Sequence, residues 1–96
     1  MKFEWDEVKR RENLRKHGID FADISDMFKG PMITNLDTRN EYGEDRLIGI
    51  GHVQHRILLV CYLEISPGDV IRIISVRKAL SHERKIFEQE IKNRLE

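Results

Sequence analysis

Arg46-Leu-Ile-Gly-Ile-Gly-His-Val53, Gln54-His55, Arg56-Ile-Leu-Leu-Val-Cys-Tyr-Leu-Glu-Ile65, Ser66-Pro67-Gly68-Asp69 and Val70-Ile-Arg-Ile-Ile-Ser-Val-Arg77 follow one another without a break in a 96-residue chain. The three long runs are rich in β-branched and other apolar residues and are bounded by turn signals, which predicts strands. Gln54-His55 leaves two residues for the first connection, the length of a tight hairpin although not its usual composition. Ser66-Pro67-Gly68-Asp69 is a strong turn sequence. Strands joined this closely are antiparallel neighbours, because parallel ones need a crossover of a dozen or more residues. Gly49 and Gly51 fall on one face of the first strand, which predicts a bulge or the close approach of another backbone.

Working outward, Met32–Leu36 is a further candidate strand, separated from the meander by the polar loop 37–45. Upstream the period becomes helical. Asp6 is a good N-cap for a helix to about His17, closed by Gly18, with Lys16 and His17 at the negative end of its dipole. Val8 and Leu14 are its only apolar members, so its amphipathicity is weak. Asp20 caps a second helix, with Ile19 and Ile24 placed as a hydrophobic staple and Phe21, Ile24, Met27 and Phe28 on one face; Gly30-Pro31 stops it. Lys2–Trp5 reads as a short strand or an extended arm. Downstream, Ser81 caps a C-terminal helix striped by Ile86, Phe87, Ile91 and Leu95. The expectation is a single α+β domain over residues 1–96: two short N-terminal helices, an antiparallel sheet of about four strands and a C-terminal helix.

Charged residues make up 35% of the chain and the formal net charge is zero, but the charge is unevenly placed. Between Gly30 and Asp45 one cation, Arg39, stands against Asp37, Glu41, Glu44 and Asp45. Between Val70 and Phe87 five cations, Arg72, Arg77, Lys78, Arg84 and Lys85, stand against Glu83. The basic end suits phosphate or a strongly acidic protein. Cys61, the only cysteine, reads as a buried strand residue and excludes an internal disulfide and a cysteine metal centre. No run is long enough to span a membrane and no signal-like stretch opens the chain, so a cytoplasmic setting is expected, without a membrane partner.

Strict alternation in Val70–Arg77 puts Val70, Arg72, Ile74 and Val76 on one side and Ile71, Ile73, Ser75 and Arg77 on the other, one arginine per face. Each is either a snorkelling edge residue or a guanidinium held to grip phosphate. Arg46, directly after Glu44-Asp45, is either a local salt-bridge partner or the mouth of a site. His17 is either a dipole partner or a proton carrier, since imidazole exchanges protons near neutrality. His52 and His55 straddle the hairpin turn and have too few partners for a metal; neither a metal nor a cofactor is expected. No phosphate loop, nucleophile elbow or dinucleotide fingerprint is present. The residues alone support an anion-binding α+β domain.

Phe3-Glu4-Trp5-Asp6, Asn13-Leu-Arg-Lys-His-Gly18 followed by Ile19-x-Phe21, Arg46-x-x-x-Gly-Ile-Gly51 and Ile71-Arg-Ile-Ile-Ser-Val-Arg77 with Glu83-Arg84 resemble, in order and spacing, the BrnT family of toxins. Two departures stand out: Asn40 in Asp37-Thr-Arg-Asn40, where the family's middle loop has histidine, and Val76, where it has alanine. The resemblance implies a RelE-like fold, a sheet with helices on one face and a basic active surface. It implies a ribonuclease toxin of a type II toxin–antitoxin system that inhibits translation. It implies a BrnA-type antitoxin with a ribbon-helix-helix part, through which alone operator DNA is reached. RNA supplies its own nucleophile, the 2′-hydroxyl. Arg46, Arg72 and Arg77 are then the candidates for charge stabilisation, His17 or Glu44 for proton acceptance, and Lys16, Lys78 and Arg84 for holding RNA. The rival is a non-catalytic module that binds nucleic acid or an antitoxin. A third reading is an adaptor that oligomerises through the helices.

Overall fold

Asp6 ends the first strand and starts the first helix: its carboxylate accepts from the N–H groups of Val8 and Lys9, so helix α1 (Glu7–His17) follows strand β1 (Lys2–Trp5) without a loop. Gly18, in the left-handed region at φ 69°, closes α1 with its N–H on the Leu14 carbonyl. Asp20 likewise caps the next segment through the Ala22 N–H. That segment, Phe21–Lys29, is a 3₁₀ helix rather than the α-helix its spacing predicts. Strands β2 (Met32–Leu36), β3 (Leu47–Val53), β4 (Arg56–Ser66) and β5 (Val70–Lys78) and helix α2 (Ser81–Leu95) complete the computed structural model, which describes residues 1–96 except Asn40, Tyr42 and Glu96. Among the described residues no helix is long and apolar enough to cross a membrane.

The sheet has five strands in the order β1-β5-β4-β3-β2 and is mixed. The expected antiparallel sheet of about four strands is corrected by β1, which joins the edge parallel to β5 with Phe3 opposite Ile71 and Trp5 opposite Ile73. A parallel pair is possible there because α1, the 3₁₀ helix and three strands intervene, ample chain for a crossover. The core lies on one face, where Val60, Leu58, Tyr62, Ile71, Ile73 and Val76 are buried against Phe21, Ile24 and Met27 of the 3₁₀ helix. Gly49 and Gly51 open this face: a Cβ at Gly49 would overlap the Met32 methyl, and one at Gly51 would lie 3.0 Å from Met27 Cγ and 3.3 Å from the Pro31 carbonyl. The close approach expected there is thus made mainly by methionine side chains.

One extra residue in β5 sets the faces. Tyr62 pairs with Ile73 but Cys61 pairs with Ser75, so Ile74 is a bulge. The phase of the strand flips there: Ile71 and Ile73 face the core before it, Val76 after it. Arg72 (opposite Leu63) and Arg77 (opposite Leu59) therefore share the second face, not opposite faces as unbroken alternation predicts. Beyond Trp5, the edge of β5 is covered by α1 instead of a strand. Buried Asn13 accepts from the Val76 N–H at 3.1 Å and donates to the Ile19 carbonyl at 3.1 Å. It is the only buried residue of α1, whose Val8 and Leu14 are exposed.

The second face is covered in part by α2. Phe87 is fully buried with its ring 5.1 Å from that of His52, which points away from the core face. Arg77 binds Glu83 through two parallel bonds of 2.8 and 3.0 Å. Helices thus lie on both faces of the sheet, not one. Ser81 is the first residue of α2 rather than its cap; Glu83 accepts from the Leu80 N–H at 2.7 Å, the return half of a capping box. The stripe expected on α2 is only partly buried: Phe87 is enclosed, whereas Ile86 and Leu95 are 60% and 84% exposed.

Replacing Asn13 by alanine leaves the Val76 N–H and the Ile19 carbonyl without their partner, and is expected to cost about 2 to 3 kcal/mol; an unchanged urea midpoint would contradict this role. The Arg77 guanidinium and the Leu80 N–H hold the Glu83 carboxyl down from 4.5 to about 2. A carboxyl depressed on folding contributes stability above its unfolded value, and that contribution is lost as pH falls from about 4.5 towards 2. Glu83→Gln should therefore lower stability near neutrality by about 1 kcal/mol, after solvent screening, and flatten its decline across that acid window. Parallel pH profiles for the two proteins would show that the pair contributes nothing.

Candidate active site

Arg46 lies one residue before the pair Leu47–Tyr62, and Arg72 is the partner of Leu63, so the two arginines flank Leu63 on the second face. Two strand spacings, about 10 Å, separate their backbones. Lys9 of α1 and Glu44 of the preceding loop complete a cleft of about 330 Å³, with Leu63 and Ile74 among its apolar walls. α2 does not line this end of the face. Arg46 Nε is 3.4 Å from Glu44 Oε1, and Arg72 is 3.5 Å from Glu4 on β1. Both contacts are long and partly exposed, the kind of ion pair worth 0 to about 1 kcal/mol.

A second cleft adjoins the first and shares Lys9 and Ile74 with it. It is lined by Lys16, His17, Glu12 and Ser75 around Asn13. Lys9, Asn13 and Lys16 recur at the i, i+4, i+7 spacing of one helix face. The two hydrogen bonds of Asn13 therefore place both lysines, with His17 near them, in clefts alongside β5. Lys9 was not singled out from the sequence. Its signal was an asparagine inside a helix between two lysines, a polar residue where a core-facing helix normally carries an apolar one.

Asp37 is the other residue the sequence reading passed over. Its side chain is fully buried and receives the Nε and Nη2 of Arg39 at 2.9 Å each. Cys61 lies 3.8 Å from it and donates its thiol proton to Asp37 Oδ2. Burial, with the Asp37 charge adding to it, pushes that thiol above its ordinary range, as fits a strand residue in the interior. The Asp37 N–H also donates to the Arg46 carbonyl at 2.7 Å, so the acidic loop is tied to the strand that carries Arg46. Asn40 lies outside the described residues.

The remaining expected residues are not brought into these clefts. Arg77 shares the face with Arg72, but its strand partner Leu59 is four residues, about 13 Å, from Leu63 along β4, and its guanidinium is held by Glu83. Lys78 and Arg84 line a different cleft with Arg56 and Lys85, where β5 passes into α2. Among the described residues no three histidine, cysteine, aspartate or glutamate side chains are grouped so as to hold a metal ion.

Residues 5–83 match the model of the BrnT family, described as the ribonuclease toxin, BrnT, of type II toxin–antitoxin systems. Among solved structures, the chain is similar to the crystal structure of the Brucella abortus ribonuclease toxin, BrnT, at 32% identity and a TM-score of 0.64, over 84% of this chain and 99% of that one. No curated protein matches the sequence. Such a family implies a protein antitoxin as partner. With α1, β2 to β5 and both basic clefts inside the matched stretch, the chain belongs to the BrnT family of ribonuclease toxins of type II toxin–antitoxin systems.

Proposed function

We propose that RNA is cut in the cleft between Arg46 and Arg72, by attack of its own 2′-hydroxyl on the adjacent phosphorus, without a metal ion. The observation that carries this reading is the meeting of Arg46, Arg72 and Lys9 with one carboxylate, Glu44, in a single open cleft. The reaction needs a proton taken from the 2′-oxygen, charge stabilisation on a five-coordinate phosphorus, and a proton for the leaving 5′-oxygen. Glu44, beside both arginines, takes the first proton. Arg46 and Arg72 exchange their long contacts to Glu44 and Glu4 for the phosphate oxygens, where charge-assisted bonds are stronger. Lys9 adds a third positive charge, and Lys16 holds a neighbouring phosphate. The proton taken up by Glu44 is returned through water to the leaving 5′-oxygen; His17, beside Lys16, is the second candidate for proton transfer. Arg77 acts through the fold, by holding α2.

Cleavage of messenger RNA would inhibit translation. Neutralisation follows if a BrnA-type antitoxin covers this cleft while its ribbon-helix-helix part contacts operator DNA, all within the cytoplasm. The RelE-like reading of the fold rests on the antiparallel run β2 to β5 with its basic open end.

Arg46→Ala combined with Arg72→Ala is expected to lower kcat for an oligoribonucleotide by about 100-fold or more, and Glu44→Gln by a similar factor. Products from the parent protein, made with chelator present, should end in a 2′,3′-cyclic phosphate. Wild-type rates in the folded double variant would remove the basis of the proposal. So would RNA that the parent protein binds and leaves intact.

A further inference from the structure

A further cleft, of about 490 Å³, lies apart from the one assigned to the chemistry. It lies where β5 runs into α2 and is walled by Arg56 from β4, Lys78 from β5, and Arg84 and Lys85 from α2, with Glu88 as its one carboxylate. The guanidinium of Arg56 and the ammonium groups of Lys78 and Lys85 enter no ion pair or hydrogen bond among the described residues. The Arg84 guanidinium donates to the Ser81 hydroxyl, at 3.3 Å, and enters no ion pair among the described residues. Glu83, the nearest carboxylate in sequence, is already committed to Arg77 and the Leu80 N–H. Four cations from three elements thus face one opening with little of their charge answered. Like charges gathered this closely repel one another, a cost that an anionic ligand would remove.

The three basic clefts are strung along one strand. The first two share Lys9 and Ile74, and the second ends at Ser75. The third begins at Lys78, three residues or about 10 Å further along β5. Together their walls carry eight lysines and arginines against three glutamates, on a chain whose formal net charge is zero. Arg72 and Lys78 are about 20 Å apart along β5, Arg72 on the second face and Lys78, opposite Leu58, on the core face, so the row of cations turns round the end of the sheet where β5 runs into α2. A flexible linear polyanion follows such a row better than a rigid acidic helix, whose charges are spread around a cylinder.

We propose that the Arg56–Lys78–Lys85 cleft is a second phosphate site, which holds the sugar–phosphate backbone of an RNA strand whose scissile bond lies in the Arg46–Arg72 cleft. The inference rests on the ribonuclease reading of that first cleft. It adds a length requirement: strands long enough to reach both sites are bound more tightly than short ones. Arg84 and Lys85 lie beyond the stretch that matches the family, so the site is built partly by this chain's own C-terminal helix.

The test uses single-stranded 2′-deoxy oligonucleotides of mixed sequence, which lack the nucleophile and so report binding alone, at about 4 and about 16 nucleotides. Fluorescence anisotropy against salt should show the longer strand bound at least about tenfold tighter by the parent protein, with a steeper salt dependence. Arg56→Ala, Lys78→Ala and Lys85→Ala together should abolish that preference and reduce the log–log salt slope by about 2, as three lost phosphate contacts require. Lys78→Gln with Lys85→Gln, both at exposed positions, replaces the triple variant should that one unfold, and should give a smaller change in the same direction. Unchanged affinity and slope in the folded variants would overturn the site. Tighter binding of an acidic peptide of equal charge, lost in the same variants, would overturn it in favour of a protein ligand. Cleavage of ribo-oligonucleotides is read separately: a parent protein that shows the length preference yet cuts nothing contradicts the catalytic cleft and leaves the second phosphate site standing.

Discussion

The single extra residue in β5 governs which side chains share the open face of the sheet. Without the bulge at Ile74, Val76 would leave the core and Arg77 would enter it. With it, both strand halves bury their apolar residues on the same side, and both arginines face the other. The bulge also falls where β1 stops and α1 takes over the edge. A bulged strand bends and twists more than a regular one, and a straight partner strand would fit it poorly. A helix that contributes one side-chain amide to the backbone accommodates the irregularity. Asn13 is therefore the joint between two otherwise separate requirements: it pairs the Val76 N–H that a sixth strand would have taken, and it orients the face of α1 that carries Lys9 and Lys16.

The arginines divide by the quality of their partners. Arg77–Glu83 is bidentate, short and largely enclosed, and the depressed carboxyl shows that the charged form is strongly favoured there. Such a pair is hard to open and serves as structure. The contacts of Arg46 to Glu44 and of Arg72 to Glu4 are longer, at 3.4 and 3.5 Å, and partly exposed. Weak pairs of this kind keep neighbouring cations from repelling each other in the empty protein and can be exchanged for a phosphate with little loss. In the proposed reaction the acidic loop would thus have an electrostatic use beyond proton transfer, screening Arg46 until a stronger anion arrives.

Much of the fold was legible in the sequence because local signals agreed with tertiary ones. Asp6, Gly18 and Asp20 mark helix boundaries by chemistry that does not depend on packing, and the boundaries fall where they predict. The meander was equally plain, since its connections are too short for anything but antiparallel pairing. What stayed hidden was of another kind. A bulge leaves no compositional mark in Ile73-Ile74-Ser75, where every residue suits a strand. The parallel pairing of β1 depends on where α1 and the 3₁₀ helix deliver the chain, which four residues cannot announce. The burial of Asp37 follows from a loop folding back on Cys61 and Arg39. At the site, charge type was readable but grouping was not: Arg46 and Arg72 meet because of register, and Arg77 is withdrawn because of a partner on another element.

The position of α1 has a consequence for how activity and stability are linked. A helix with a single buried residue draws little support from hydrophobic burial, and few isolated helices of this length are stable in water. Its polar attachments are the Asn13 bonds to Val76 and Ile19 and Arg10, which ties it to Asp20 ahead of the 3₁₀ helix. Polar attachments of this sort fix orientation well, because hydrogen bonds are directional, but they add little net free energy each. The helix that places Lys9, Lys16 and His17 beside Ile74 is therefore accurately aimed and weakly anchored. Local release of α1 would remove three side chains from the clefts at once while leaving the packed face against the 3₁₀ helix intact. Substitutions at Asn13 or Arg10, neither of which needs to touch RNA, should thus act on cleavage through the aim of this helix, and in proportion to the fraction of molecules in which it has come away.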